Sequence, residues 1–169
     1  RLVQENIYAV DKDPKDLKAR EGLMLAATLG GLAFSNASIC LVHGMSRPLG
    51  SNFKVPHGLS NAMLLPTITE FSIDHAKSRY ADCSRAGNFA LPDDNDNEAC
   101  EKLIKGLYKM NNDFDVPSMK TFGIDEKNFE DQLENMATDA EISGAPGLNP
   151  RVPSVKEMIN LYGEAWRAF

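Results

Sequence analysis

The sequence predicts an all-α fold, and three observations support this prediction. Apolar residues recur at helical spacing in successive segments of the 169-residue chain. β-Branched residues are dispersed, and no two alternating runs face each other across a tight turn, so strand signals are nearly absent. Residues typical of helix starts precede several of the apolar runs. We therefore expect a single multi-helix domain over residues 1–169.

The predicted helices follow one another along the whole chain. Residues 1–10 have the pattern of an amphipathic helix, and Asp13 before Pro14 predicts the N-cap of a long helix that ends near Ser35. A break and a second buried helix follow. Ser154 and Glu157 form a capping-box pattern at the start of the last helix. The other helices are expected at residues 56–71, 73–85, 96–111, 125–138 and 154–169, with loops near 91–95, 115–118 and 143–153.

The composition excludes several classes of protein. A hydrophobic share of 43% is ordinary for a globular domain. The net charge of -6, with basic residues scattered among acidic ones, argues against a nucleic-acid partner. The three cysteines, Cys40, Cys83 and Cys100, have no C-x-x-C spacing, so neither a disulfide framework nor a zinc ribbon is indicated. A reducing, cytoplasmic location is therefore expected.

The segment of residues 22–46 contains no charged residue and is long enough to span a membrane. Against a membrane span stand the polar residues inside the segment, such as Asn36 and His43, and the absence of flanking aromatic belts or basic clusters. We interpret the first part of the segment as a helix buried on all sides, with small residues such as Gly30 and Gly31 allowing close approach of its neighbours. No membrane partner is expected.

Two of the three histidines, His43 and His57, are candidate metal ligands. His43 lies in the charge-free segment, where a buried imidazole needs a hydrogen-bond partner or a metal to offset its desolvation. His57 is expected at a helix start, where the helix dipole disfavours a protonated ring and leaves a lone pair for a cation. Their spacing alone leaves open a metal site or two structural histidines, because a catalytic metal usually has at least three protein donors.

Other chemistry-bearing residues have weaker patterns. Cys40 precedes His43 by three residues and could share its helix face in a Cys/His/His zinc site, the alternative being an inert buried thiol. His75 follows Asp74 in a polar stretch and is interpreted as a solvated helix-start residue. The sequence has no strand-linked G-x-G-x-x-G, no G-x-x-x-x-G-K-[ST], no H-E-x-x-H and no G-x-S-x-G. No cofactor-binding motif or catalytic residue is therefore assigned in this chain.

The string over residues 31–66, GLAFSNASICLVHGMSRPLGSNFKVPHGLSNAMLLP, resembles the signature of the iron-containing (group III, metal-dependent) alcohol dehydrogenases. The flanking segments fit the C-terminal half of that family over practically the whole chain. The resemblance implies a helical domain of the kind shared with dehydroquinate synthase-like proteins. It also implies that His43 and His57 are two ligands of a divalent metal, Fe(II) or alternatively Zn(II). The remaining ligands and the NAD(P)-binding domain would lie upstream of Arg1.

The same resemblance implies residues of a substrate pocket. Phe34 and Asn149 match positions that line the pocket in the family, although an aromatic on a buried helix is often simply part of the core. Arg47, four residues after His43, replaces a histidine found in many relatives. A proton-relay role is therefore not expected at this position, and Arg47 is expected to pair with a carboxylate or to attract an acidic substrate group.

The function implied by the resemblance is hydride transfer between a small alcohol or aldehyde and NAD or NADP, with a metal that holds the substrate oxygen. A maleylacetate-reductase-like relative and a non-catalytic helical oligomerisation module are the alternatives, and a homo-oligomer is compatible with either. Arg1 is not an initiator Met and stands within a helical pattern. We therefore expect a fragment that lacks its N-terminal nucleotide-binding domain and that alone binds metal weakly and is inactive.

Overall fold

The computed structural model describes residues 1–168 and confirms the all-α prediction. These residues form eight α-helices and one 3₁₀ turn, without a β-strand. The helices are α1 (Leu2–Lys12), α2 (Leu17–Ala37), α3 (Leu41–Phe53), α4 (His57–Ile73), α5 (Lys77–Ala86), α6 (Asp96–Asp113), α7 (Glu126–Ile142) and α8 (Val155–Arg167). The 3₁₀ turn, Ala145–Leu148, lies in the predicted loop between α7 and α8. The number and order of the helices agree with the prediction.

The predicted N-cap of the long second helix is wrong. Asp16 caps α2, and its carboxylate accepts a hydrogen bond from the Ala19 backbone N at 3.0 Å. Asp13, the expected cap, instead accepts from the Lys15 backbone N at 2.9 Å in the preceding turn. Asp16 takes the role because it stands three residues before an amide that has no partner within the helix.

The starts of α8, α7 and α5 can be compared with the predicted helix starts. The capping box of Ser154 and Glu157 is present at α8, and Asp125 caps α7 by accepting from the Asn128 backbone N at 2.9 Å. α5 begins at Lys77 and not at the predicted residue 73, because residue 73 is the last residue of α4. Phe169, in the predicted last helix, lies outside the described residues.

The chain forms two compact units, and the single domain expected from the sequence stays a prediction. The first unit consists of Arg1–Ser38 and Lys77–Leu103. Within it α1 packs along α2, and a Cβ added to Gly22 would lie 2.5 Å from Nδ2 of Asn6. Glycine is therefore required at this crossing, unless the asparagine moves.

The second unit consists of Ile39–Ala76 and the described residues from 104 onwards, and it contains the main hydrophobic core. Most of the fully buried side chains of this core come from α3, α4, α7 and α8. They include Leu41, Met45, Leu49, Met63, Leu64, Met136, Met158 and Tyr162. Each such apolar side chain contributes about 1.5–3 kcal/mol relative to exposure. The burial of these side chains in one core thus holds α3 and α4 in position.

A proline inside α4 is compensated by a side chain from another helix. Pro66 has no backbone N–H, so the Ala62 carbonyl four residues earlier lacks its usual helical donor. Asn111 of α6 donates to that carbonyl through Nδ2 at 2.8 Å, and Asn111 is itself buried. This hydrogen bond satisfies a buried backbone group that the helix alone cannot satisfy.

The prediction that the charge-free helix is buried on all sides is wrong for α2. Its only buried residue is Ala19, and apolar side chains such as Met24 (72% exposed) and Leu32 (57%) face outwards. The absence of charged residues correctly indicated an apolar helix surface. The other described helices do not cover that surface, so it is exposed. α3, the second helix of the segment, is buried as predicted.

Among residues 1–168, no single helix is both long enough and apolar enough to cross a membrane. The pair Leu17–Ala37 and Leu41–Phe53 meets those criteria only when the two helices are joined across a sharp bend.

Asn111→Ala is expected to destabilise the second unit by about 1–3 kcal/mol, because it leaves the Ala62 carbonyl buried without a donor. The matched control is Asn112→Ala at the neighbouring exposed position, for which a change within about 0.5 kcal/mol is expected. Urea unfolding followed by circular dichroism measures both. Equal effects of the two substitutions would contradict this account of Pro66.

Candidate metal centre

The two candidate ligands lie on helices that pack against each other in the second unit. His43 is in the first turn of α3, and His57 is the first residue of α4, after the N-cap Pro56. α3 buries Leu41 and Met45, on either side of His43 in sequence, which leaves the histidine half-buried at the edge of the core. The predicted position of His57 at a helix start is confirmed.

The packing of α3 on α4 brings the two imidazoles together. Their ring centroids are 5.3 Å apart and their planes are inclined by 54°. Metal–nitrogen bonds of about 2.1 Å and a roughly tetrahedral angle would place two ligating imidazole centroids about 5 Å apart. The separation of the pair therefore fits a shared divalent cation, although the two histidines are fourteen positions apart in the sequence.

The electrostatic surroundings favour a neutral His43. Burial lowers the pKa of His43, and the nearby His57 and Arg47 lower it further. A neutral imidazole retains the lone pair that a metal ligand needs. His57 is exposed, and Asn61, one turn further along α4, donates from Nδ2 to its ring at 3.1 Å from Nε2. That contact holds the ring beside its own helix.

The described residues do not complete a metal site. No group of three or more His, Cys, Asp or Glu side chains among residues 1–168 converges at a distance suited to a metal ion. The Cys/His/His alternative that included Cys40 is therefore wrong: Cys40 is the N-cap residue of α3, and its thiol is not brought into such a group. His75 is exposed in the turn after α4, so its interpretation as a solvated residue agrees with the structure, although it lies before the start of α5.

Two tertiary contacts fix α3 in its place. The buried Tyr162 of α8 donates from its hydroxyl to the Met45 carbonyl at 2.6 Å. Burial, and to a lesser extent the charge of Asp139, raise the pKa of Tyr162, so its hydroxyl stays protonated and available as a donor. On the other side a Cβ added to Gly44 would lie 3.0 Å from Cδ of Pro146, so the 3₁₀ turn lies directly against the residue after His43.

Arg47 is exposed one helical turn after His43, and it lines a pocket of about 440 Å³ within the second unit. The same pocket is lined by Ser51 of α3 and by Asp139 and Ser143. No salt bridge to the Arg47 guanidinium is formed by residues 1–168, so the expected pairing with a carboxylate of the chain is not observed. Its charge is therefore available to a ligand.

The other two predicted pocket residues differ in their surroundings. Phe34 of α2, in the first unit, is 55% exposed and is not part of a core. Asn149 is buried, and its Nδ2 donates to Ser72 Oγ at 2.9 Å and to the Arg151 carbonyl at 2.8 Å. These hydrogen bonds connect the loop after the 3₁₀ turn to α4. They give Asn149 a structural role that does not depend on a substrate. A role of Phe34 or Asn149 in a substrate pocket stays a prediction.

Sequence reasoning did not find the residues that support the histidines from outside α3 and α4. Tyr162 lies 117 residues after Met45, and the pattern of α8 indicated only an apolar face. Asp139 and Ser143 had no local signal that links them to Arg47. The 143–153 loop was predicted, but the approach of its Pro146 to Gly44 depends on tertiary packing.

The chain matches a known protein family over nearly its whole length. Residues 1–166 match the family described as "Fe-containing alcohol dehydrogenase family, C-terminal". Alcohol dehydrogenase 4 of Saccharomyces cerevisiae is 36% identical over 140 residues, which are 82% of this chain and 36% of the yeast protein. Lactaldehyde reductase of Escherichia coli is 30% identical over 152 residues, which are 89% of this chain and 39% of that protein.

Solved structures show the same arrangement of helices. An iron-containing alcohol dehydrogenase from Thermococcus thioreducens is 31% identical with a TM-score of 0.86, and the match covers 99% of this chain and 42% of that chain. A 1,3-propanediol oxidoreductase is 27% identical with a TM-score of 0.89, covering 97% and 42%. The chain thus spans about two fifths of the length of these relatives. It belongs to the iron-containing alcohol dehydrogenase family.

Proposed function

We propose that this chain is the metal-binding helical part of a longer, NAD(P)-dependent alcohol dehydrogenase, in which His43 and His57 bind one divalent metal ion. The observation that carries the proposal is the 5.3 Å separation of the two rings in a member of the iron-containing family. Fe(II) is the proposed ion, with Zn(II) as the alternative, because imidazole nitrogen suits both metals. When bound, the metal supplies a Lewis acid that polarises the substrate oxygen.

The chain's own contribution is to hold two imidazole nitrogen donors in a fixed relation. His43 is kept neutral by burial and by the neighbouring positive groups, which favours binding of a cation through its lone pair. Its position is fixed by the Tyr162 hydrogen bond and by the contact of Gly44 with Pro146. Rigid support of this kind limits the reorganisation that ligand binding would otherwise require.

The rest of the site is proposed to come from the part of the enzyme outside this chain. Two protein donors are fewer than a catalytic metal usually has, and residues 1–168 supply no third. The chain likewise has no glycine-rich motif for a nicotinamide cofactor. We therefore expect the 169-residue chain alone to bind metal weakly and to lack dehydrogenase activity, while the longer enzyme uses NAD or NADP.

The substrate is proposed to be a small alcohol or its aldehyde, with Arg47, Phe34 and Asn149 near it. The relatives' names, lactaldehyde reductase and 1,3-propanediol oxidoreductase, support a small, polar substrate. Arg47 and its pocket support recognition of a negatively charged substrate group. A cytoplasmic location is proposed because the three cysteines form no disulfide among residues 1–168.

A non-catalytic oligomerisation module is the second candidate, and one observation favours it. The outward face of α2 carries several large apolar side chains that the described residues do not cover. A surface of this kind usually packs against another part of a protein or another chain. The paired histidines are not explained by this alternative.

His43→Ala and His57→Ala in the complete polypeptide are each expected to abolish stoichiometric metal binding and to lower kcat/KM at least about a hundredfold, because each removes a ligand. The control is His75→Ala, at the exposed histidine outside the site, which should retain both properties. Elemental analysis after loading with Fe(II) and an assay of NAD(P)H formation measure them. Full metal content and activity in both ligand variants would refute the proposal.

Arg47→Ala in the same polypeptide is expected to raise KM about tenfold for substrates that carry a carboxylate, because the exposed guanidinium loses its ion pair with them. KM for neutral alcohols and the metal content should change little. Arg47→Lys, which keeps the charge, should recover part of the effect. Equal changes in KM for charged and neutral substrates would exclude this role for Arg47.

A further inference from the structure

The side chain of Asn61 in α4 lies against the face of the His57 ring. Its Nδ2 is 3.1 Å from Nε2 and 3.4 Å from Nδ1 of that ring. An atom in the plane of an imidazole cannot approach both nitrogens this closely without overlapping the Cε1 carbon between them. The amide of Asn61 therefore lies above the ring plane, over the edge that carries the two nitrogens.

This contact leaves both ring nitrogens of His57 free. The lone pair with which a neutral imidazole nitrogen binds a metal lies in the plane of the ring. An N–H group over the face of an aromatic ring is instead attracted by the π-electrons, in a weak hydrogen bond. Asn61 thus holds the ring in place without using the lone pair that a metal needs.

The orientation of the Asn61 amide is determined by a second contact. The same Nδ2 donates to the His57 backbone carbonyl at 2.8 Å. If the amide were turned over, its oxygen would lie against that carbonyl oxygen, and the two acceptors would repel each other. The nitrogen, and not the oxygen, therefore faces the ring.

The oxygen of the Asn61 amide destabilises the fold. Oδ1 is buried and accepts no hydrogen bond from residues 1–168. A buried acceptor without a partner is uncommon and has a free-energy cost. The backbone does not depend on the side chain either, because the Ser60 hydroxyl also donates to the His57 carbonyl, at 2.9 Å. An apolar side chain of the same size would avoid the cost.

The His57 ring needs a restraint of this kind to stay beside His43. His57 is exposed, and an exposed side chain has several rotamers of similar energy. The separation of 5.3 Å between the two ring centroids belongs to one of them. The contact with Asn61 favours that rotamer, so the ring does not have to be ordered when a ligand binds.

We propose that Asn61 is a positioning residue of the metal centre. Its amide holds the His57 ring at the observed separation from His43 and leaves a ring nitrogen free for the cation. The inference rests on the proposed function, in which both histidines bind one metal ion. It adds that Asn61 increases metal affinity while its unpartnered oxygen decreases stability, a combination that is common at functional sites.

Asn61→Leu in the complete polypeptide tests the proposal, because leucine has a similar size and no amide. The Kd for Zn(II), measured by competition with a chromophoric chelator, should rise about tenfold, as is typical when a group that orients a ligating histidine is lost. The midpoint of urea unfolding of the metal-free protein should not fall, because the substitution removes an unpartnered oxygen. An asparagine with a purely structural role would give a lower midpoint.

Asn52→Leu is the matched control. Asn52 of α3 donates through Nδ2 to the Pro48 carbonyl four residues earlier, at 2.8 Å, so it makes the same contact with the backbone without an imidazole. The Zn(II) Kd of this variant should equal that of the parent protein. Asn61→Ala should weaken Zn(II) binding as Asn61→Leu does, which would exclude a steric effect of the leucine.

The contact with the ring face is tested without metal by nuclear magnetic resonance of the polypeptide, isotope-labelled at asparagine. An Asn61 side-chain amide proton should resonate upfield of its position in His57→Ala, because the ring current shields a proton over the face. The resonance is assigned by its absence in Asn61→Leu.

Three results would each overturn the inference: Zn(II) binding by Asn61→Leu as tight as by Asn52→Leu, a lower urea midpoint of Asn61→Leu, or an Asn61 amide resonance that is the same in His57→Ala. The proposed function would survive them if His57→Ala itself loses the metal. Retention of Zn(II) by His57→Ala with the parent's Kd would refute the proposed function and this inference together.

Discussion

The packing of α3 against α4 is the constraint on which the second unit depends. The two helices bury Met45, Leu49, Met63 and Leu64 against each other and against α7 and α8. The same packing determines the distance between His43 and His57. A shift of either helix along the other would change both the core and the histidine pair. The hydrophobic effect, through this core, therefore sets the geometry of the candidate metal centre.

Polar contacts restrict the two helices further at the points where apolar packing is not specific. Tyr162 anchors α3 through one backbone carbonyl, and Asn111 anchors α4 through another. In each case a side chain distant in sequence reaches the backbone of a helix that carries one of the histidines. Directional bonds of this kind fix the rotation and the register of a helix, which burial of similar apolar side chains leaves free. The two histidines thus share a rigid support.

The local features of this fold could be predicted from the sequence. Helix periodicity and the capping box at Ser154 depend on neighbouring residues, and both were recognised. The position of His57 at a helix start was recognised for the same reason. The choice of Asp16 over Asp13 was missed, because both acids precede the helix and only the backbone geometry distinguishes them.

Tertiary features could not be predicted in the same way. A charge-free helix is compatible with burial, with a membrane and with an uncovered apolar surface, and α2 has the last of these. The proximity of His43 to His57 followed from a family resemblance and not from their spacing. The partners of Met45, Ala62 and Gly44 come from α8, α6 and the 3₁₀ turn, which no local pattern connects to them. Such contacts depend on the whole unit, and the candidate site depends on them.

The central claim is that His43 and His57 bind the same metal ion. Anomalous X-ray diffraction at the iron absorption edge, from crystals of the complete polypeptide loaded with Fe(II), tests it most directly. We predict one anomalous peak at about 2.1 Å from a ring nitrogen of each histidine. A peak bound by other residues, with both imidazoles free of it, would contradict the account.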